Sequence, residues 1–216
     1  MTQIVVFEDI GLEDYHTTHQ RQLQYWHQIV QKERGEVVII CSHPSVVTLG
    51  RKSTIQDVQN WPGKVVSIER GGQATYHGPG QVIIYPILDL RERNYNVGGL
   101  IRGLERSLKK TLCEYYSVAS LEFSEKNPTG VWISFRGQER KIASIGIAVK
   151  RWVSFHGMAI NLDYDPMAFK GINPCGFSQE VMISLEEVLE RKISRAEFIE
   201  NYKKELIEEL GRKENE

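Results

Sequence analysis

The sequence has no surplus of charge of either sign. Its 27 lysines and arginines stand against 28 aspartates and glutamates, a formal net charge of −1. A broad electrostatic grip on nucleic acid or an anionic membrane is therefore not expected. No apolar run reaches the length needed to cross a bilayer. Residues 1–9 lack a basic stretch followed by an apolar one, so no secretory signal is expected and the cytoplasm is the expected location. Cysteine is scarce, with three residues at wide spacing, which suits free thiols in a reducing compartment better than a disulfide framework. Repeats, low-complexity tracts and linkers are missing as well. The 216 residues are expected to form a single domain, residues 1–216, large enough to bury a core without staples. A hydrophobic fraction of 41% with 25% charged residues describes an ordinary soluble globular chain.

Patterning predicts alternating strands and helices. A short strand over Ile4–Glu8 precedes an amphipathic helix over about residues 12–33, whose stripe is Leu12, Tyr15, His19, Leu23, Trp26 and Val30. Gly35 is expected to stop it. His16, His19 and His27 lie on this helix without a carboxylate or cysteine to complete a ligand set there, so no metal site is expected. The β-branched run Val37–Cys41 reads as a buried strand with Cys41 as a small core residue. His43, before a proline, reads as local structure. Strands follow at Val46–Leu49, Val65–Ile68 and Val82–Leu88, the last carrying Pro86, which suggests an edge or a bulge. A helix over about Val97–Tyr116 holds Cys113 as a packing residue. Asn127-Pro128-Thr129-Gly130 is a turn signal. Three consecutive strands are then expected, over Val131–Phe135, Arg140–Val149 and Trp152–Leu162, with turns at Gly137-Gln138 and Lys150-Arg151. They bring Lys141 and the Ser144–Gly146 segment beside Gly157–Ala159, small residues that leave room for a ligand on one face. Asp165–Phe169 reads as a helical turn, Ser184-Leu185-Glu186-Glu187 as a capping box, and the last helix runs from Ser194 to about Leu210, before a frayed charged tail.

The chain is organised around Arg70-Gly71-Gly72-Gln73-Ala74-Thr75-Tyr76-His77-Gly78-Pro79-Gly80-Gln81, which runs straight into a strand. Glycine lets backbone approach a ligand closely, so N–H groups can line a pocket; a tight turn between strands is the plainer reading. Cys175 lies between Pro174 and Gly176 in a loop, where a thiol can be exposed and aimed. A thiolate is a nucleophile, and a neighbouring ammonium lowers the thiol pKa. Cys175 with Lys141 is therefore one candidate for covalent catalysis, and His77 is the rival partner for the same cysteine.

Arg70-Gly71-Gly72-x-x-Thr75-Tyr76-His77-x-x-Gly80-Gln81-x-Ile83-x-Tyr85 resembles the signature of the lipoyl(octanoyl) transferases. Segments His43-Pro44, Thr48-Leu49-Gly50, Lys141–Gly146, Trp152-Val153, His156–Asn161 and Asn173–Gly176 also resemble that family, in its order. The resemblance implies an α/β (α+β) fold of the biotin/lipoate protein ligase kind, a mixed sheet with packed helices. It implies transfer of an octanoyl group from octanoyl-acyl carrier protein to a lysine of a lipoyl domain, on a 2-oxoacid dehydrogenase E2 subunit or the glycine-cleavage H protein. By the resemblance Cys175 is the nucleophile that carries octanoyl as a thioester, and Lys141 lowers its pKa and shuttles protons. Arg70, Gly71, Gly72, Gln73, Ala74, Thr75, Tyr76, His77, Ser144, Ile145, Gly146, Gly157, Met158 and Ala159 correspond to the acyl site. Phe177 stands where an aliphatic residue is common, which bears on chain length. Thioester exchange is close to balanced and thioester to amide runs downhill, so no ATP, metal or other cofactor is required. Arg51, Lys52, Arg70, Arg140, Lys150 and Arg151 are available for an acidic carrier partner. The rivals are an ATP-dependent lipoate or biotin ligase, for which a nucleophilic cysteine is unnecessary, and a non-catalytic module that binds the acyl carrier.

Overall fold

The computed structural model describes residues 5–122 and 129–211, with Ile55 and Cys175 described by their backbone alone. Ile4 of the expected first strand, Asn127 and Pro128 of the expected turn and the charged tail beyond Gly211 lie outside the described residues.

Two sheets form the frame. The larger has six strands in the order β1 (Val6–Leu12), β2 (Val37–Ser42), β6 (Gln81–Ile87), β9 (Val153–Asn161), β8 (Gln138–Lys150) and β7 (Val131–Phe135). β1 runs parallel to β2, and the other neighbours are antiparallel. The smaller sheet has β3 (Val46–Leu49) between β4 (Lys64–Ser67), parallel to it, and β5 (Thr75–His77), antiparallel. Both faces of the large sheet are covered, which is why β2 and β6 read as unbroken apolar runs. Val38, Ile40, Val82 and Ile84 pack beneath α2 (Val97–Tyr116) and α4 (Arg195–Gly211), through Leu100, Leu104, Leu108, Phe198, Tyr202 and Leu206. Val37, Ile39, Cys41, Ile83 and Tyr85 face the other side with Ile29 of α1 (Tyr15–Val30). A short α3 (Leu185–Leu189) starts at Ser184, whose hydroxyl and the Glu187 carboxylate cap it reciprocally.

The first helix is shorter than its periodicity suggests and is turned about its axis. Asp14 caps it, its carboxylate accepting from the amides of His16 and Thr17, and Leu12 belongs to β1 and is exposed. The buried positions are Tyr15, Thr18, Gln22 and Ile29, while Leu23 is exposed. The helix ends at Val30, five residues before Gly35. Cys41 is fully buried as expected, whereas Cys113 is exposed on the outer side of α2. The hairpin turns fall one residue later or earlier than expected. Arg136-Gly137 and Arg151-Trp152 occupy them, all four at positive φ, the geometry that matches strand twist.

Pro86 lies in an interior strand, not at an edge. Its carbonyl accepts from Ser154 Oγ at 2.7 Å on the β9 side, so its missing N–H falls on that side too. The β6–β9 register accordingly runs from Gln81 to Ile84 and stops. Opposite the gap, His156 adopts φ +58° and donates its amide to Gln22 Oε1 at 2.9 Å instead of to a strand. That is why α1 buries a glutamine. Gly157 comes so close that a Cβ there would sit 1.8 Å from the carbonyl oxygen of Ile84. Gly157→Ala is expected to destabilise the protein by about 1–3 kcal/mol or more, since the backbone itself must move; the shift of the urea unfolding midpoint, followed by tryptophan fluorescence, measures it.

Candidate active site

A cavity of about 280 Å³ opens between the α1 side of the large sheet and the glycine loop. Its floor is β8 against β9, where Ser144 stands opposite Ala159, Ile145 opposite Met158 and Gly146 opposite Gly157. Gly146 leaves space for the loop rather than for a ligand. A Cβ there would lie 2.8 Å from Arg70 Cδ and 3.0 Å from the Gly71 carbonyl, and the Gly71 amide donates to the carbonyl of Ile147 at 3.2 Å. Arg70 is itself buried. Its guanidinium donates to the carbonyl and hydroxyl of Thr48 at 2.8 and 3.0 Å and to the Gly71 carbonyl at 2.9 Å, tying the loop to β3. It forms no part of a basic surface patch.

Strand alternation sorts the rest of the loop. Thr75 and His77 of β5, with Gly72 and Gln73 before them, line the cavity. Tyr76 points the other way, donating to Asp165 Oδ2 at 2.7 Å and packing on Trp61 and Phe169. Ala74 is buried in the same cluster. Of the residues expected to bound an acyl site, Ala74 and Tyr76 thus lie away from the cavity, and Gly71 lies against β8 through its backbone.

Lys141 reaches the cavity through a bulge. Val131 stands opposite Ala143, but Trp132 stands opposite Lys141, so β8 carries one residue more than β7 there. Without it, Lys141 and Ser144, three apart, would point to opposite faces; with it both line the cavity. Lys141 is 2% exposed. Its ammonium donates to the Thr129 carbonyl at 2.9 Å and lies 5.2 Å from the centre of the Trp132 ring and 6.0 Å from that of Phe177. Gly130 makes the passage possible, since a Cβ there would sit 2.5 Å from Lys141 Cε and 3.1 Å from its Nζ. The Gly130 amide donates to Glu105 Oε1 at 2.8 Å, and burial raises the pKa of that carboxyl.

Pro174–Gly176 forms a 3₁₀ turn that carries the backbone of Cys175. Both neighbours bring the turn to the cavity. A Cβ on Gly176 would lie 2.6 Å from Gln73 Oε1, and Phe177 lines the cavity while packing edge-on against Trp132, ring centres 5.3 Å apart. The Asn173 amide anchors the turn on the Asp57 carbonyl at 2.9 Å.

The family described as lipoyl protein ligase A/B catalytic domain matches residues 14–207. The octanoyltransferase of Bdellovibrio bacteriovorus is 36% identical over 220 residues, covering 95% of this chain and 99% of that protein. The chain belongs to the lipoyl protein ligase A/B family. Solved structures agree on the fold. A lipoate-protein ligase A bound with ATP superposes with a TM-score of 0.69 at 13% identity, covering 97% of this chain and 86% of that one. A structure described as a bipartite lipoate protein ligase and its E2 lipoyl domain from Thermoplasma acidophilum gives 0.60 at 14% identity, over 95% and 82%.

In this family member the glycine loop is backed by aromatic and imidazole rings. Tyr15 stacks on His77, with centres 5.9 Å apart, and both line the cavity with Tyr85. His43 sits beneath them, fully buried. Its Nδ1 donates to the Glu13 carbonyl at 2.7 Å, which leaves Nε2 to accept from the Tyr85 hydroxyl at 2.9 Å. Burial holds the pKa of His77 well below the ordinary value, helped by the nearby His43 and Arg70 charges, and burial lowers that of His43. The sequence reading took Thr129 and Gly130 as a turn signal and Trp132 as part of a strand, and named neither them nor Glu105 as site residues, because their role is to place Lys141. Tyr15, Lys52, Ile68 and His156 also line the cavity. Only the helical phase of α1 could have pointed to Tyr15.

The buried neutral histidines set a pH dependence. Between its lowered folded pKa and the unfolded value near 6.5, each binds a proton when unfolded and none when folded. Their contribution to stability is therefore complete above pH ~6.5 and is lost as pH falls, by roughly 1 kcal/mol per pH unit for each. Urea midpoints measured from pH 7 down to 5 are expected to fall, and to fall less steeply in His77→Gln.

Proposed function

We propose that this chain is an octanoyltransferase that works by two acyl transfers through a thioester on Cys175. The observation that carries the reading is the buried ammonium of Lys141, held in the cavity wall beside Phe177 of the Pro-Cys-Gly turn. A fixed cation next to a thiol favours the thiolate.

In the first transfer the Cys175 thiolate attacks the carbonyl of an octanoyl thioester on acyl carrier protein. A C–S bond to Cys175 forms, the carrier's C–S bond breaks, and the departing carrier thiolate takes a proton from Lys141. In the second, a neutral lysine of a lipoyl domain attacks the Cys175 thioester. A C–N bond forms, the C–S bond breaks, and the attacking nitrogen gives its proton to Lys141, which restores the ion pair. His77 is the weaker candidate for that proton, because burial disfavours its protonated form. The floor of Ser144, Gly157, Ala159 and Ile83, with Ile68 also lining the cavity, suits an aliphatic chain. Acceptors of the class this reading implies are lipoyl domains of 2-oxoacid dehydrogenase E2 subunits and the glycine-cleavage H protein. Lys52, exposed at the cavity, is the cation best placed to meet an acidic carrier.

Incubation with octanoyl-acyl carrier protein, without acceptor or ATP, is expected to give an octanoyl adduct in the intact mass of wild type. The adduct should be labile to hydroxylamine and absent from Cys175→Ala; an adduct that persists in that variant moves the nucleophile elsewhere. Robust octanoylation of a lipoyl domain from free octanoate, ATP and magnesium would instead make the protein a ligase. Lys141→Met is expected to slow transfer on the order of 10²-fold or more. Gly130→Ala, which shifts the ammonium without removing it, is expected to lower kcat by about 10–100-fold with little change in KM.

A further inference from the structure

His19 of α1, Glu69 just before the glycine loop and His156 in the kink of β9 come from three separate elements and meet beside the cavity. Glu69 Oε2 lies 3.8 Å from His19 Nε2 and 3.9 Å from His156 Nε2. All three atoms fall within 4.8 Å of one another. The two imidazoles stack with centres 5.2 Å apart at 18°. Both Nε2 atoms are buried with no hydrogen-bond partner, and the His156 side chain is 2% exposed. Leaving two such nitrogens unpaired is costly, and the carboxylate is too far away to hydrogen-bond either one.

We propose that His19, Glu69 and His156 form a binding site for a divalent transition metal of the zinc type, whose occupancy inhibits the transferase. Two imidazoles and one carboxylate are a ligand set suited to Zn²⁺ or Co²⁺. Tetrahedral coordination at bond lengths near 2.0–2.1 Å needs ligand atoms about 3.4 Å apart. Glu69, the most exposed of the three, has to close by a few tenths of an ångström on each histidine, and the two imidazole nitrogens, which lie within 4.8 Å of one another, have to approach as well. The imidazoles are in the form that ligates. Burial lowers the pKa of His19 and brings that of His156 down to about 3, so no proton competes at neutral pH. The His156 amide is fixed by Gln22, which holds its backbone in place before any ion arrives.

The surroundings set the strength and the effect of binding. Arg51 and Arg70 are close enough to act on His156, and Glu69 supplies the opposing charge. The site is therefore reversible, not a structural one. Of the three ligands His156 lines the cavity, next to Gly157 in its floor. An ion bound there lies beside the cavity that the proposed transferase reading gives to the acyl chain, and on that reading it obstructs the chain.

The test separates this site from the thiol. Cys175→Ser protein is titrated with Co²⁺ alone and its visible d–d absorption recorded. Binding of one ion per chain, with no thiolate-to-metal band, is expected, and it should be lost in Cys175→Ser proteins that also carry His19→Ala or Glu69→Gln. With the cysteine intact, His19→Ala is expected to turn over within about twofold of wild type in the absence of metal, and to need at least about tenfold more Zn²⁺ for half-inhibition. The proposal fails if Co²⁺ does not bind, if it binds equally with His19 or Glu69 removed, or if it binds wild type but not Cys175→Ser. The binding arm does not depend on acyl transfer, so its failure is distinguishable from failure of the transferase reading.

Discussion

The burial of one ammonium group is the constraint on which the site depends. Taking a lysine charge out of water costs several kcal/mol unless it is held, and Lys141 is held by a carbonyl and two aromatic faces. Each of those partners comes from a different source: Thr129 from the entry to β7, Trp132 from β7 itself, and Phe177 from the turn after Cys175. The bulge in β8 turns the side chain toward them, and Gly130 leaves the lane through which it passes. The same contacts that stabilise the charge therefore pin the Pro-Cys-Gly turn beside it. Relaxing any one of them loosens the cation and the turn together.

A second constraint comes from a missing hydrogen bond. Pro86 has no N–H to give β9, so β9 leaves the ladder, and its next residues find other partners. The kink carries His156 into the left-handed region and its amide onto Gln22. It also brings Gly157 onto the backbone of β6. Small residues on this floor thus have a reason that precedes any ligand. The cavity exists because backbone crosses backbone at close range here, and its lining mixes aliphatic side chains with Thr75, His77, Lys141 and Ser144.

Most of the frame was legible in the sequence because it rests on local signals. The β-branched runs of β2 and β3, the leucine stripe of α2 and the capping box at Ser184 fall where the patterning puts them. The β8–β9 register is also as the small-residue segments suggested, with Ser144 opposite Ala159. What escaped was non-local. The face that α1 buries is set by Gln22 reaching a distant amide, which no periodicity of apolar residues records. The face that Lys141 takes depends on one unpaired residue in its own strand, opposite β7. Tyr76 and His77 sit side by side in the motif, yet alternation sends them to opposite sides of β5. A motif names residues that matter together without saying which of them touch the same space.

The proton chemistry follows from how the charges are partitioned. His43 and His77 lie in surroundings that penalise the protonated imidazole, so near neutrality they act as fixed hydrogen-bonding rings beneath the cavity. The reaction we propose, which first releases a carrier thiolate and then accepts a proton from an attacking amine, needs a group that changes charge in step with it. An imidazole as deeply buried as His77 is a poor choice, because burial and the nearby Arg70 charge disfavour its protonated form. Lys141 is differently placed. Its ammonium is stabilised by partners that do not move, and a thiolate at Cys175 would supply the counter-charge in one half of the cycle. In the cycle we propose, coupling the charge of Lys141 to the acylation state of Cys175 would let one proton carrier serve both transfers.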